Sequence, residues 1–389
     1  MKPMKPLTIE INGTGTHNRG AELMAIAVGQ RIRATFPDAR IVVSSCFGNP
    51  EETAKYGFHR TWEYRGLVVG RIKSAISAAT RGIRPGLLDP KEVDIVLDAS
   101  GFAFSDQWGE RRAIRETQAL LHPRRHHQAL IMLPQAFGPF ENPGVSRECS
   151  RLFERALLVC ARDSQSFASV SSLGFERKLR QYPDFTVGVS PMEAKVAIPE
   201  NYVAIVPNYR MLDKGGDAGA YLDFLRQIIG LTRQHGLNLA FVLHDANEDR
   251  KVIGQLGGDA GSIPVLTDSD PRVLKGMLGR AKFVVGSRFH ALVSSLSQGV
   301  PCVGAGWSHK YPELFRDFAC PELLMPRLND TAALESTLRM LCDESQRTSI
   351  AGRIKEASLR IKASTELMWE EVESLIRQVQ AARPECRAS

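Results

Sequence analysis

Residues 7 to 12, Leu-Thr-Ile-Glu-Ile-Asn, alternate apolar and polar side chains with the period of two that a β-strand requires. A glycine-rich turn, Gly13 to Gly20, follows. Leu23, Ile26, Ala27 and the stretch Gln30 to Ile32 then fit a 3.6-residue period, which predicts a helix closed at Phe36-Pro37 because proline cannot continue it. Ile41-Val42-Val43 reads as the next strand and completes a β-turn-α-β unit. Strand-length apolar runs recur at Val93 to Leu97, Leu130 to Leu133 and Ala156 to Ala161, with helical segments between them. Strands alternating with helices imply a mainly parallel sheet covered on both faces.

Periodicity fades from Pro183 to Pro199, which reads as a linker, and then restarts. Strands are predicted at Tyr202 to Val206, Leu239 to Leu243, Lys282 to Val285 and Val300 to Val303, and helices at Ala220 to Gln234, Pro271 to Arg280 and about Phe289 to Gln298. From Asp330 onward the chain is almost wholly helical, and Val372, Leu375, Ile376 and Val379 form one apolar stripe. The expected fold class is α/β, with two doubly wound, Rossmann-like domains facing across a cleft: residues 1–188, residues 189–330, and a helical C-terminal tail, 331–389, packing across them. A length of 389 residues suits two domains better than one. Doubly wound domains hold ligands at the carboxyl ends of their strands, so chemistry is sought in the loops that follow strands.

Composition narrows the class without choosing a function. At 43% hydrophobic and 24% charged residues the chain is an ordinary globular protein, not disordered, collagenous or coiled-coil. Its seven cysteines are odd in number, widely spread and never form C-x-x-C, so reduced, mostly buried thiols are expected and neither a disulfide framework nor a zinc site is. The net charge of +7 suits an anionic partner: a phosphate-bearing substrate, nucleic acid or an acidic membrane surface. The basic stretches Arg71 to Lys91 and Arg111 to His127 do not interleave aromatics, so nucleic acid is not expected. No apolar run reaches the ~18 residues of a membrane helix, and the opening residues lack a signal peptide's apolar stretch. A cytoplasmic location is expected, with peripheral association at the inner face of the membrane left open.

The turn Gly13 to Gly20 is neither a dinucleotide fingerprint nor a P-loop: its glycines miss the G-x-G-x-x-G spacing, and Ala21-Glu22 stands where Lys-Ser/Thr would hold phosphate and magnesium. Its amides point at an anion or at a substrate's polar groups, or else the turn serves only helix and sheet packing. The run Val284 to Leu292 carries Ser287-Arg288-Phe289-His290 after a buried strand, with Ser287 as the expected cap of the following helix. That first turn is a natural anion site, since Arg288 can take a carboxylate or phosphate bidentately beside free helix amides. Arg288 and His290 can meet one ligand only if the chain is still extended there. Lys310, in Gly304-Ala305-Gly306-Trp307-Ser308-His309-Lys310, and Arg210, after the strand Tyr202 to Val206, are further cations at strand-end loops. His244-Asp245 reads as a metal or acid/base pair or, preferably, as a structural feature of the sheet edge, because no third ligand is spaced for it.

Taken in order, Asn18-Arg19-Gly20-Ala21-Glu22, Gln135-Ala136-Phe137-Gly138-Pro139, Ala161-Arg162-Asp163-Ser164, Ser287-Arg288-Phe289-His290-Ala291, Gln298-Gly299-Val300-Pro301 and His309-Lys310 resemble the polysaccharide pyruvyl transferases over about residues 8 to 320. The Ser-Arg-x-His-Ala block with its Gly-Val-Pro and downstream lysine is the most specific part. The resemblance implies a two-domain fold similar to the GT-B glycosyltransferases. It also implies transfer of a pyruvyl group from phosphoenolpyruvate to two hydroxyls of a lipid-linked or nucleotide-linked sugar, in exopolysaccharide or cell-envelope glycan synthesis.

By the matching motifs Arg288 and His290 are the expected catalytic pair on the second, donor-binding domain, and the first domain is the acceptor side. Arg210, Lys310, Ser287, Asn18, Gly20 and Glu22 are the expected substrate contacts, and neither a metal nor an organic cofactor is called for. His290 is left as acid, base or phosphate donor. One departure stands out: where many members carry a run of glycines, this chain has Asp98-Ala99-Ser100-Gly101-Phe102, which bears on the acceptor side, whereas Asp163 looks regular. A GT-B-type glycosyltransferase using a nucleotide sugar and a non-catalytic glycan-binding relative are the alternatives.

Overall fold

The computed structural model describes residues 6–62, 87–213, 217–306 and 308–383. Residues 71–86 of the first basic stretch, Trp307 and Cys386 lie outside the described residues. By contacts the chain divides into two units: Met1–His17, Met24–Phe185 and Ser364–Ser389 form the first, and Asn18–Leu23 with Thr186–Ala363 form the second.

The described strands of the first unit are β1 (Thr8–Asn12), β2 (Arg40–Ser44), β3 (His59–Thr61), β4 (Leu87–Leu88), β5 (Ile95–Asp98), β6 (Ala129–Gln135), β7 (Leu158–Ala161) and β8 (Leu179–Gln181). They lie in the order β4-β3-β2-β1-β5-β6-β7-β8, every neighbouring pair parallel. The winding reverses between β1 and β5, whose ends align as Asn12 beside Asp98. Helices are started by local chemistry. Asn142 accepts from the amides of Gly144 and Val145 ahead of helix Pro143–Arg155, with proline at the position where no N–H is needed. Asp163 caps Ser164–Ser171 by accepting from Ser166 N at 2.7 Å, and its neighbour Arg162 forms a buried ion pair with Asp184 at 3.0 Å.

The alternation of residues 7 to 12 does mark a strand, but not one with a wet face. Thr8 and Glu10 are buried at 0% and 1% exposure. Glu10 is held by Arg125 in two parallel hydrogen bonds, Nη1 to Oε2 at 2.8 Å and Nη2 to Oε1 at 3.1 Å. A parallel sheet is covered on both sides, so a polar residue in its central strand needs a partner rather than solvent.

The second unit has β9 (Tyr202–Val206), β10 (Asn238–Val242), β11 (Val265–Leu266), β12 (Val284–Gly286) and β13 (Cys302–Gly304) in the parallel order β11-β10-β9-β12-β13. Every residue of β9 is buried, as expected for the central strand of a doubly wound sheet. Helix Ala218–Gln234 begins at the cap Asp217, and helix Pro271–Gly279 at Asp270 with proline first. The stretch read as a linker is anchored: Met192 N donates to Arg272 O at 2.9 Å, and the buried Lys275 donates to Thr186 O at 3.0 Å.

After residue 330 come helices Thr331–Cys342 and Glu344–Ala381. The apolar stripe is real, with Val372 and Ile376 fully buried. Contacts divide the long helix. Ser358 and Lys362 donate to Ser297 O at 2.8 and 2.9 Å within the second unit. Glu373 accepts from Arg31 Nε at 2.5 Å and Thr35 Oγ1 at 2.9 Å within the first. Of the described cysteines, Cys149, Cys160, Cys302 and Cys320 are buried, and Cys46 is exposed. Burial pushes the Cys149 and Cys320 thiols up to about 12, far from the range of a reactive thiolate. No helix among the described residues is long and apolar enough to cross a membrane.

Candidate functional site

In the second unit the winding reverses between β9 and β12, so the loops after these two strands stand at the point where doubly wound sheets admit ligands. The loop after β9 brings Asn208, which is buried. Its Nδ2 donates to Ser287 O at 2.8 Å, its backbone N–H donates to Tyr221 Oη at 3.0 Å, and its Oδ1 accepts from Arg210 N at 3.1 Å. Ser287 is clamped from two more sides. Its hydroxyl donates to Tyr221 Oη at 3.0 Å, and its carbonyl accepts from Tyr311 Oη at 2.9 Å. The tyrosine ring reaches that far because residue 306 is glycine; a Cβ there would fall 2.1 Å from the ring. The glycine loop before Lys310 thus serves the neighbouring tyrosine.

Arg288 follows this clamped residue. The structure corrects the expected capping: Arg288, not Ser287, is the N-cap of helix Phe289–Leu296, and Ser287 is buried with its hydroxyl engaged. With φ −89° and ψ 113°, Arg288 is still extended, which meets the stated condition for Arg288 and His290 to serve one ligand. Its guanidinium grips Asp249, Nε to Oδ2 at 3.1 Å and Nη2 to Oδ1 in a shorter contact. Asp249 is wholly buried and also accepts from Tyr209 N at 3.1 Å and Asp245 N at 3.0 Å. Burial pushes its carboxyl up, and the Arg288 guanidinium and these two amides work against that. The fork is therefore fixed in direction, and its Nη1 edge makes no hydrogen bond to any described residue.

His290 stands in the first turn of the same helix, its ring edge-on to Phe289 at 5.5 Å between centroids. The imidazole packs against the backbone of Gly20: a Cβ on that glycine would lie 2.3 Å from His290 Nδ1. Asn18 Oδ1 accepts from Gly20 N at 2.9 Å, which shapes that turn, and the buried Glu22 pairs with Arg19. The ammonium of Lys310 lies 5.2 Å from the Phe289 ring and 5.5 Å from the Tyr311 ring. The structure thus gathers Ser287, Arg288, His290, Gly20 and Lys310 around one helix start. Arg210 shares the Asn208 loop, but its guanidinium is half exposed and paired with Asp213 at 2.5 Å.

Two further residues, Asp249 and His244, stand in this cluster. Asp249 looks like any acidic residue in the first turn of a helix, here Glu248–Leu256, and carries no signal of its own. His244, a metal or acid/base candidate or preferably a structural residue by its sequence, is 6% exposed and lies in the field of Arg288, His290 and Arg19. Burial first, and then the charges of Arg288, His290 and Arg19, lower its pKa from the ordinary 6.5 to about 3. A histidine held neutral in the folded state contributes stability that is full above pH 6.5 and is lost as pH falls toward about 3. Urea denaturation across that window should show His244→Gln with a shallower acid loss than the wild type, by up to one bound proton. Parallel pH profiles would refute the assignment.

In the first unit the corresponding reversal, between β1 and β5, carries Asp98. Its Oδ1 accepts from Asn12 Nδ2 and Ser100 Oγ, both at 2.7 Å, and its Oδ2 from Gln135 Nε2 at 2.7 Å. Complete burial raises its pKa despite these three donors. The departure Asp98-Ala99-Ser100 is therefore a buried polar knot tying three strand ends together.

The family model for polysaccharide pyruvyl transferases matches residues 18–309. The chain belongs to this family. A comparison with curated proteins gives no significant match. Among solved structures, a putative UDP-N-acetylglucosamine 2-epimerase from Listeria monocytogenes is similar at 11% identity and a TM-score of 0.62, over 99% of this chain and 100% of that one. The UDP-GlcNAc 2-epimerase of Neisseria meningitidis bound to UDP-GlcNAc gives 12% and 0.60, over 96% and 100%. HepE of Anabaena in complex with UDP gives 14% and 0.56, over 95% and 100%. At such identities the likeness is one of fold, and it makes this member of the pyruvyl transferase family a GT-B-like α/β protein.

Proposed function

We propose that this family member transfers the pyruvyl group of phosphoenolpyruvate to two hydroxyls of a sugar, forming a cyclic ketal and releasing phosphate, in the synthesis of exopolysaccharide or cell-envelope glycan. The observation that carries the reading is Arg288, held by the buried Asp249 at the switch point of the second unit, with an Nη1 that makes no hydrogen bond to any described residue. A guanidinium fixed in this way suits the carboxylate or phosphate of an enol phosphate, which it meets bidentately.

The chemistry needs protons moved in opposite senses. One sugar hydroxyl adds to C2 while C3 gains a proton and becomes the methyl group. The second hydroxyl displaces phosphate from C2, and its proton leaves with the phosphate. His290, in the first helical turn after Arg288, is the side chain we assign to these transfers. Lys310, held over two aromatic rings, adds positive charge to the donor site. The acceptor sugar we assign to the strand ends of the first unit, around the Asp98 knot.

Incubation of the purified protein with labelled phosphoenolpyruvate and a panel of lipid-linked and nucleotide-linked sugars tests the proposal. Phosphate release coupled to an acid-labile pyruvate adduct is the expected result. Neighbours of this fold bound to UDP and to UDP-GlcNAc favour one second reading, that the chain uses a nucleotide sugar, as a GT-B-type glycosyltransferase would. Tight UDP-sugar binding with no ketal on any acceptor would select that reading and sink the first.

A further inference from the structure

His244 follows β10, the strand beside β9 on the side away from β12, and is 94% buried, being only 6% exposed. Its Nε2 has no hydrogen-bond partner among the described residues. Native proteins rarely leave such an atom unsatisfied, because burial removes water without supplying a substitute. The next residue, Asp245, donates its N–H at 3.0 Å to Asp249 Oδ2, the oxygen that also accepts from Arg288 Nε at 3.1 Å, so His244 stands one residue from the carboxylate that holds the guanidinium; the charges of Arg288, His290 and Arg19 act on its ring. An orphaned polar atom near the guanidinium groups of Arg288 and Arg19, each already held by one carboxylate, is an arrangement that an anionic ligand completes.

We propose that His244 is an additional donor-binding residue, a neutral imidazole whose Nε2–H donates a hydrogen bond to an anionic oxygen of the substrate held by Arg288. The proposal rests on the reading of Arg288 as the anchor of an anionic donor. Phosphate and carboxylate oxygens offer acceptors only, so an imidazole facing them must carry its proton on the facing nitrogen. Its neighbours already supply positive charge, and a further cation would add repulsion in the empty site. A neutral donor satisfies the ligand without that cost, which is the use of keeping this histidine buried and unprotonated at neutral pH. A residue with this role sets how well an anion is recognised and need not take part in proton transfer, so its loss should appear in KM rather than in kcat.

The test is titration calorimetry of the full-length protein with phosphoenolpyruvate, comparing wild type, His244→Phe, His244→Gln and Arg288→Met. Phenylalanine keeps the volume without the donor; glutamine restores an N–H near the position of Nε2. Loss of a hydrogen bond to a charged group should weaken binding by His244→Phe roughly 10- to 100-fold, with His244→Gln within a few-fold of wild type. In the wild type, the Nε2–H signal of His244 in 15N-labelled protein should shift on adding phosphoenolpyruvate. Wild-type affinity in His244→Phe alongside a large loss in Arg288→Met would overturn the role of His244 and leave the donor site standing. Wild-type affinity in both variants would overturn the donor site itself. If His244→Phe does not fold, the spectroscopic shift decides, and its absence refutes the proposal.

Discussion

Arg288→Met should weaken phosphoenolpyruvate binding by roughly 10²- to 10³-fold, the expected effect of deleting one partner of a desolvated, hydrogen-bonded charge pair. Methionine keeps much of the stem's bulk, so the lost interaction is chiefly the guanidinium's. The substitution also strands Asp249, which is wholly buried and would retain only the amides of Tyr209 and Asp245 as donors. Stability therefore falls together with binding, and the two effects must be separated. Combining Arg288→Met with Asp249→Asn removes the stranded charge and should recover stability without recovering binding. Arg288→Lys keeps the charge but loses the fork, and should bind at a level between the two. Calorimetric affinity and urea denaturation, measured side by side, check all three variants. Affinity for phosphoenolpyruvate within a few-fold of wild type in Arg288→Met would sink the assignment of the donor site.

A loss of about 3–5 kcal/mol in folding free energy is expected for Arg125→Met, measured by urea denaturation. Glu10 lies on β1 at 1% exposure, and Arg125 grips both of its carboxylate oxygens while donating to Gln128 Oε1 at 3.0 Å. Removing the arginine leaves an ionised carboxylate in the middle of a covered sheet, where solvation by water is not available to replace the guanidinium. Replacing both residues, Glu10→Met with Arg125→Met, takes away the charge as well as its partner and should recover most of the loss. A single Arg125→Met variant within about 1 kcal/mol of wild type would mean that water reaches Glu10 after all.

The same strand shows how far a sequence pattern carries. The alternation in residues 7 to 12 identifies β1 correctly, because the period of two is a property of the extended backbone itself. The alternation cannot report what covers the polar face, since Arg125 lies 115 residues away in the chain. The two- and three-residue strands β3, β4, β8 and β11 have no sequence signal of their own, whereas β12 and β13, equally short, sit in apolar runs that mark them. The helices Ala218–Gln234, Pro271–Gly279 and Phe289–Leu296 and the central strands of both units are legible to within a residue or two, whereas the helices between the first unit's later strands are legible only as helical segments without bounds.

The candidate site was legible in part for a related reason. Arg288 and His290 are singled out because they follow a buried strand and open a helix, a placement that depends only on neighbouring residues. Ser287 was misjudged as the cap because a serine before a helix usually caps it; here Tyr221, Tyr311 and Asn208 draw its polar groups inward instead. Asp249 carries no signal in the sequence, and His244 carries only an open one, because the place of each is relational. Asp249 matters for lying against Arg288, 39 residues further along the chain, and His244 for being sealed beside the same cation.

What the sequence by itself determined is the alternation of strands and helices, the two doubly wound halves, the motifs of the pyruvyl transferase family and the strand-end loops that carry them. These are consequences of backbone periodicity, capping and turn chemistry, each decided within a few residues. Only the tertiary structure decided that the sheet of the second unit is ordered β11-β10-β9-β12-β13, and with it which loops became neighbours. That ordering sets Asn208 against Ser287 and Asp249 against Arg288, and it seals His244 away from water. Fixed direction in a guanidinium and a neutral state in an imidazole are products of burial and partnership, and both come into being only when distant segments pack together.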